Sequence, residues 1–407
     1  MTTTDAATST RALPATALSL AAASYVLAVV MMGTTMPTPL YPLYEDRFGF
    51  GSATTTVLYA IYAAGVIASL VLFGTLSDVL GRRPLLLAGL VLSVASAAVF
   101  FASDALWPLF VGRVLSGLAA GILTATGTVV VLENAPEGKS RLAASLATAS
   151  NIGGLGLGML MAGAVAQVAS SPLRAPFVVH AMLLVIGVVA LWQVRERGRR
   201  PDAPRGLRLP RLHPEVRGLF ATASVGAVAG FAVSGIFAAL LPNFMGSVLD
   251  VSAPAVMGFV TFLFFGASAV AQISLKRRSD RSLVRIGAVA LAVSMVLFVV
   301  ALAATSLPLL LASSALGGAG QGLLFMAGMR AVTGATPPDS RTQVTTAYFL
   351  VSYLSISVPV IAAGALSTAV GLTWTGIVFA VLLGVVALAA FAGAGRFADA
   401  DDSRTAR

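Results

Sequence analysis

Apolar positions in this chain fall into twelve long stretches separated by short polar breaks. The first six run over about 16–38, 53–76, 84–102, 105–131, 142–167 and 173–193. The second six run over about 218–244, 253–275, 284–304, 307–330, 342–369 and 373–396. Most exceed roughly 18 residues, the length at which an apolar helix can cross a bilayer. Strands of a membrane barrel would alternate over segments of about 10 residues, and no such alternation is present. Because a helix satisfies its own backbone in lipid, the pattern predicts an all-α membrane protein with twelve transmembrane helices. One long polar stretch, Val194 to Arg217, interrupts the series at its midpoint. It divides the chain into an N-terminal six-helix bundle (1–193), a linker (194–217) and a C-terminal six-helix bundle with a short tail (218–407).

Composition strengthens this picture. The 407 residues are 57% hydrophobic and 10% charged, against about 25% charged in soluble domains. With no cysteine and only His180 and His213 as histidines, disulfides and a His/Cys metal site are not expected. The net charge of +10 does not point to nucleic acid, because it is distributed by loop. With the N-terminus in the cytoplasm, the even-numbered loops carry Arg82, Arg83, Lys139, Arg141, the central arginines and Lys276 to Arg285. The odd-numbered loops carry Arg47 and Arg174. The positive-inside rule therefore places both termini in the cytoplasm. The excess of arginine over the two lysines, Lys139 and Lys276, with abundant alanine and glycine, fits a high-GC bacterial genome and so a bacterial cytoplasmic membrane. The apolar stretch after Arg11 lacks a small-residue cleavage site before Pro37 and reads as a retained helix.

The two sets of spans are related. A shift of about 201 residues carries Ser116–Gly121 onto Gly317–Gly322, Gly127 onto Gly328, and Ala162–Ala164 onto Ala363–Ala365. Ser77-Asp78 falls on Ser279-Asp280 one position later. Parallel repeats of this kind belong to transporters whose substrate path lies between the halves.

The loop after the second span reads Gly74-Thr75-Leu76-Ser77-Asp78-Val79-Leu80-Gly81-Arg82-Arg83-Pro84. Gly74 permits close helix approach. Gly81 permits a tight reversal. Asp78 and Arg82 can pair at the membrane boundary, where an isolated charge is costly, with Glu133 as a third member. This loop resembles the G-x-L-x-D-x-x-G-R-[RK] signature of the major facilitator superfamily, in its bacterial drug-efflux-like branch. The resemblance implies two pseudo-symmetric six-helix bundles. It also implies a conformational latch made of Gly74, Asp78, Gly81, Arg82, Arg83 and Glu133. A basic loop that only fixes topology is the plainer alternative. Arg113, in the fourth span, is similar to the family's R-x-x-x-G element. Burying it costs about 2.5–3.5 kcal/mol on insertion scales, so it should face the interior. It can serve substrate, coupling or backbone carbonyls. In the fifth span, Gly154 to Gly163 resembles the antiporter element G-x-x-x-G-P-x-x-G-G, with Met159 in place of the proline and Ala162 in place of a glycine. Gly117, Gly121, Gly154, Gly158 and Gly163 are packing or hinge candidates.

None of the sixteen acids falls mid-span, which disfavours a permanently cationic substrate. If protons couple, Asp78, Glu133 or His180 must titrate. Cavity candidates are the uncharged polar groups Tyr59, Tyr62, Asn151, Asn243, Gln321, Tyr348 and Tyr353, with Gln272 beside them. Each can equally be interhelical glue. The prolines of Met36–Pro42 forbid a regular helix there. Glu137-Gly138-Lys139-Ser140 lacks the first glycine and the strand of a phosphate loop, which excludes an ATPase. The expectation is a non-enzymatic, cofactor-free, monomeric transporter in a lipid bilayer, moving a small, largely apolar or neutral to anionic molecule outward. Protons are a candidate second partner. The alternatives are a transport-inactive sensor or accessory membrane protein on the same scaffold, or a nutrient or metabolite importer.

Overall fold

The computed structural model describes residues 16–73, 80–196, 212, 214–337 and 340–397. Among them the chain is helical, with no strand. In order the helices are α1 (Ala17–Thr35), α2 (Tyr41–Phe48), α3 (Ser52–Phe73), α4 (Arg82–Phe101), α5 (Leu106–Glu133), α6 (Ser140–Thr148), α7 (Gly154–Val168) and α8 (Ala175–Leu191). The second set comprises α9 (Arg217–Ala239), α10 (Leu241–Ser247), α11 (Pro254–Leu275), α12 (Asp280–Ala303), α13 (Leu307–Ala335), α14 (Arg341–Val370) and α15 (Leu372–Ala392).

Among the described residues, eleven segments are long and apolar enough to span a membrane. The sixth expected span, α8, has 17 residues, at the short limit for crossing. Local chemistry sets the ends. Thr16 and Ser19 form a reciprocal capping box at α1. Ser279 caps α12, whose first residue is the acidic Asp280. Gly81, with φ +95°, makes the turn into α4, a conformation that favours glycine.

Two spans depart from a plain rod. The first stops at Thr35, passes through a 3₁₀ turn at Thr38–Leu40, and resumes as α2. Its prolines break the helix as their chemistry requires, and Pro42 then occupies the first turn of α2, where its missing N–H is harmless. The fifth span is α6 and α7 joined by a π-helical turn, Ala149–Gly153.

Small residues let helices touch. A side chain at Gly117 would strike the Tyr62 carbonyl, and one at Gly121 would strike Ser69, so both glycines seat α5 on α3. Gly154 and Gly158 do the same for α7 on α1. Gly163 packs on Pro254 and Gly258, joining the two helix sets along α7 and α11. Outward-facing side chains such as Trp107, Val168, Val185 and Trp192 remain exposed, a surface suited to lipid.

Basic side chains gather at one end of the bundle, which holds Arg82, Arg141, Lys276 and Arg341. At the opposite end, Arg47 and Arg174 both pair with Asp104, at 3.4 and 3.1 Å. There the helix sets also meet: Ser52 and Ser367 hydroxyls lie 3.0 Å apart, and Gly364 lies against Thr56.

Candidate functional site

A cavity of about 580 Å³ lies between the helix sets. It extends from Thr35, Tyr59 and Ile356 to Arg82 and Arg341 at the basic end. One wall, from α3, α5 and the fifth span, presents Tyr59, Tyr62, Thr124, Thr128, Thr148 and Asn151. Asn151 sits in the π-helical turn, a distortion that re-aims side chains and recurs at functional positions. The facing wall is aromatic. Phe231 packs on Phe325 with centroids 5.1 Å apart and on Tyr353 at 6.2 Å, while Phe349 lies 5.7 Å from Phe325. Gln272 and Gln321 add amides and are tied through Ser268, which donates to Gln321 at 2.9 Å and accepts from Gln272 at 3.2 Å. Tyr62 and Tyr353 meet across the two sets.

Among the described lining residues there is no aspartate or glutamate. The charged ones are Arg82 and Arg341, both at the basic end. The wall therefore offers ring faces, hydroxyls, amides and positive charge.

Arg113 is fully buried, as its cost in lipid demands. It does not line the cavity. Its Nη1 donates to the Thr34 carbonyl at 2.6 Å and its Nε to the Leu58 carbonyl at 3.3 Å. Its guanidinium lies over the rings of Tyr62 and Tyr59, at 4.6 and 5.3 Å. It thus stands behind the two tyrosines and ties α1, α3 and α5 together. Two further cavity candidates also lie elsewhere. Tyr348 is buried within the second helix set, its hydroxyl donating to the Ala223 carbonyl at 3.4 Å, because its ring packs on Phe220 and Phe325. Asn243 lies on α10, near the closed end, and bonds Glu45.

Of the latch residues, Gly74 and Asp78 lie outside the described residues. Arg82 pairs with Glu133 at 3.4 Å, joining the start of α4 to the end of α5. Arg83 does not join that pair; it stacks over Trp192 at 5.7 Å, since adjacent positions on a helix face different ways. His180 is buried and donates to the Val29 carbonyl at 2.9 Å, a contact between helices and away from the cavity. His213 lies outside the described residues.

Several contributors escaped the sequence reading. Asp280, in the degenerate second copy of the loop motif, has a fully buried side chain and pairs with Arg330 at 3.2 Å. This ties α12 to α13 as Arg82–Glu133 ties α4 to α5, with the charges exchanged. Its trace in the sequence was the coincidence of Ser279-Asp280 with Ser77-Asp78. Arg341 and the Phe231, Phe325 and Phe349 cluster carried no motif at all.

Known proteins fit this geometry. A bacterial homologue of the human lysosomal transporter Spinster, in an inward-facing and unoccupied conformation, superposes with a TM-score of 0.73 at 14% identity, covering 94% of this chain and 97% of that one. Its inward-facing, occupied form gives 0.68. In sequence, the chain is 28% identical over 151 residues to the class C tetracycline resistance protein of Escherichia coli, 36% of this chain and 37% of that protein. It is 31% identical over 96 residues to the E. coli K12 inner membrane transport protein YajR, 23% of this chain and 21% of that protein. These alignments thus span well under half of each relative. The family model of the Major Facilitator Superfamily matches residues 23–252 and 222–405. With nearly the whole length matched and the fold shared, this chain belongs to the major facilitator superfamily.

Proposed function

We propose that the chain is an exporter that moves a small aromatic or apolar molecule, neutral or anionic, across the cytoplasmic membrane by alternating access. The observation behind this reading is the cavity: about 580 Å³, walled by aromatic rings and uncharged polar groups, with arginines at its mouth and no acid among its described lining residues. Such a wall attracts ring faces and tolerates negative charge, and it gives a cation no counter-ion. In the proposed topology the basic end is cytoplasmic, so the cavity faces the cytoplasm and the Ser52–Ser367 contact seals the outside. Tetracycline resistance is the named role of three relatives, from E. coli, Salmonella ordonez and Pasteurella multocida, and tetracycline therefore belongs among the compounds to test. Gly74, Asp78, Gly81, Arg82 and Glu133 form the proposed latch of the opposite, outward-facing state.

The test is counterflow and gradient-driven flux in proteoliposomes, with and without a pH gradient, using matched neutral, anionic and cationic aromatic probes. Flux of neutral or anionic probes in preference to cations is expected. Preferential cation flux would overturn the substrate class, and no flux of any probe would favour a sensor on the same scaffold. Asp78→Asn should leave membrane insertion intact and slow flux by about tenfold, the scale of one lost charge-assisted hydrogen bond. Wild-type flux in that variant would refute the latch.

A further inference from the structure

Glu45 lies on α2, at the end of the molecule where the two helix sets touch. Asn243, 198 residues away on α10, donates its Nδ2 to both carboxylate oxygens at 2.9 Å each. Thr55 of α3 donates its hydroxyl to Oε1. One amide nitrogen therefore serves two oxygens, while Asn243 Oδ1 is buried and accepts from nothing. No arginine or lysine bonds the carboxylate among the described residues. The charged neighbour acting on it is Asp46, on the same helix. Tyr41, one turn earlier, is also near, with its hydroxyl buried and unbonded, and Arg113 acts on that tyrosine. Thr55 from α3 and Asn243 from α10 complete the surroundings, and neither carries charge.

An ionised carboxylate can only accept hydrogen bonds, so it cannot satisfy Asn243 Oδ1. A neutral carboxylic acid can. With the amide turned so that Nδ2 keeps one carboxyl oxygen and Oδ1 meets the other, the acid's O–H donates to the amide oxygen while its carbonyl accepts the amide N–H, closing a two-bond ring. The ionised side chain leaves Asn243 Oδ1 unsatisfied in the sealed contact, and the protonated one can satisfy it. We propose that Glu45 is a proton-binding site that the closing of this seam completes. One proton passes from hydronium to a carboxylate oxygen, forming an O–H bond and leaving water. Reopening the seam returns Glu45 to water and the proton to solvent. A ligand that binds one state more tightly shifts the population toward it, so acidification favours the closed seam. The inference rests on the alternating-access reading and gives it a proton site that is neither in the loop motif nor at His180.

The chain has no native cysteine, which makes the test direct. Spin labels are placed on Gly51→Cys, where an added Cβ meets nothing, and on the exposed Thr368→Cys. The full chain is reconstituted in lipid nanodiscs, and label distances are recorded between about pH 5 and about pH 8. The short-distance population should rise about threefold or more on acidification. In Glu45→Gln, which is neutral at every pH, it should be large and independent of pH. Should Glu45→Gln fail to fold, infrared difference spectra of the wild-type chain serve instead. A carboxylic C=O band that grows with seam closure is expected, and it should weaken in Asn243→Ala. A wild-type seam that ignores pH, a Glu45→Gln protein that keeps the wild-type response, or a missing band would overturn the proton site. If flux proceeds while the seam ignores pH, only this proposal falls. If the seam never opens under any condition, the alternating-access reading falls with it.

Discussion

Arg113 shows how a single side chain can be fixed by cost alone. A guanidinium on a membrane helix must face protein, and here it finds two backbone carbonyls and the faces of two tyrosines. Its planar fork reaches carbonyls on two different helices at once, which a lysine ammonium cannot reproduce while also lying flat on the rings. Arg113→Lys should therefore lower thermal stability in detergent, and Arg113→Ala should lower it more, by about 1–3 kcal/mol. Tyr59 and Tyr62, losing the plane behind them, should bind any transported probe more weakly, which ligand-induced thermal shifts would read. An Arg113→Ala protein as stable as wild type would mean that the buried cation does not hold α1, α3 and α5 together. Asp280 makes the parallel case at the basic end. Its side chain is fully buried while Arg330 is 36% exposed. Asp280→Leu lets the arginine rehydrate, so the loss should be about 1–3 kcal/mol, less than for a fully buried pair.

At the scale of elements, close packing decides what can be changed. Gly158 places α7 against the Met32 backbone of α1, and Gly117 places α5 against α3. Either position changed to valine must push two helices apart. Both variants should express poorly or melt markedly lower, whereas Gly218→Ala, where an added Cβ meets nothing, should not. Loss of stability at Gly218 equal to that at Gly158 would refute the packing argument. The helices themselves were legible in the sequence, because lipid imposes a period-free apolar length that few other environments demand. Their ends were legible within a few residues, since Gly81, Ser279 and the prolines of Met36–Pro42 act locally. What stayed hidden depends on which faces meet. Tyr348 and Tyr353 are five residues apart on α14, so they point in different directions. Only Tyr353 lines the cavity. Asn243 read as a cavity candidate and Glu45 fell beyond the first apolar stretch, and their pairing exists only because α2 and α10 extend beyond the breaks of their spans. The π-helical turn that carries Asn151 has no distinct sequence signal apart from the glycines that follow it.

The whole molecule is two sets of helices around an aromatic cavity with no acid among its described lining residues. At one end Ser52 meets Ser367, and at the basic end, where the cavity reaches Arg82 and Arg341, Lys276 still donates to Ser145 at 2.7 Å across the sets. If this is one state of an alternating cycle, the contact between Ser52 and Ser367 must break on every turnover. Their hydroxyls are 3.0 Å apart, close enough for a disulfide after substitution, and the chain supplies no other cysteine to confuse the result. The decisive measurement is flux through Ser52→Cys/Ser367→Cys in proteoliposomes before oxidation, after oxidation and after reduction. The account predicts rapid cross-linking, loss of flux on oxidation, and recovery with reductant. Full flux through the cross-linked protein would contradict it.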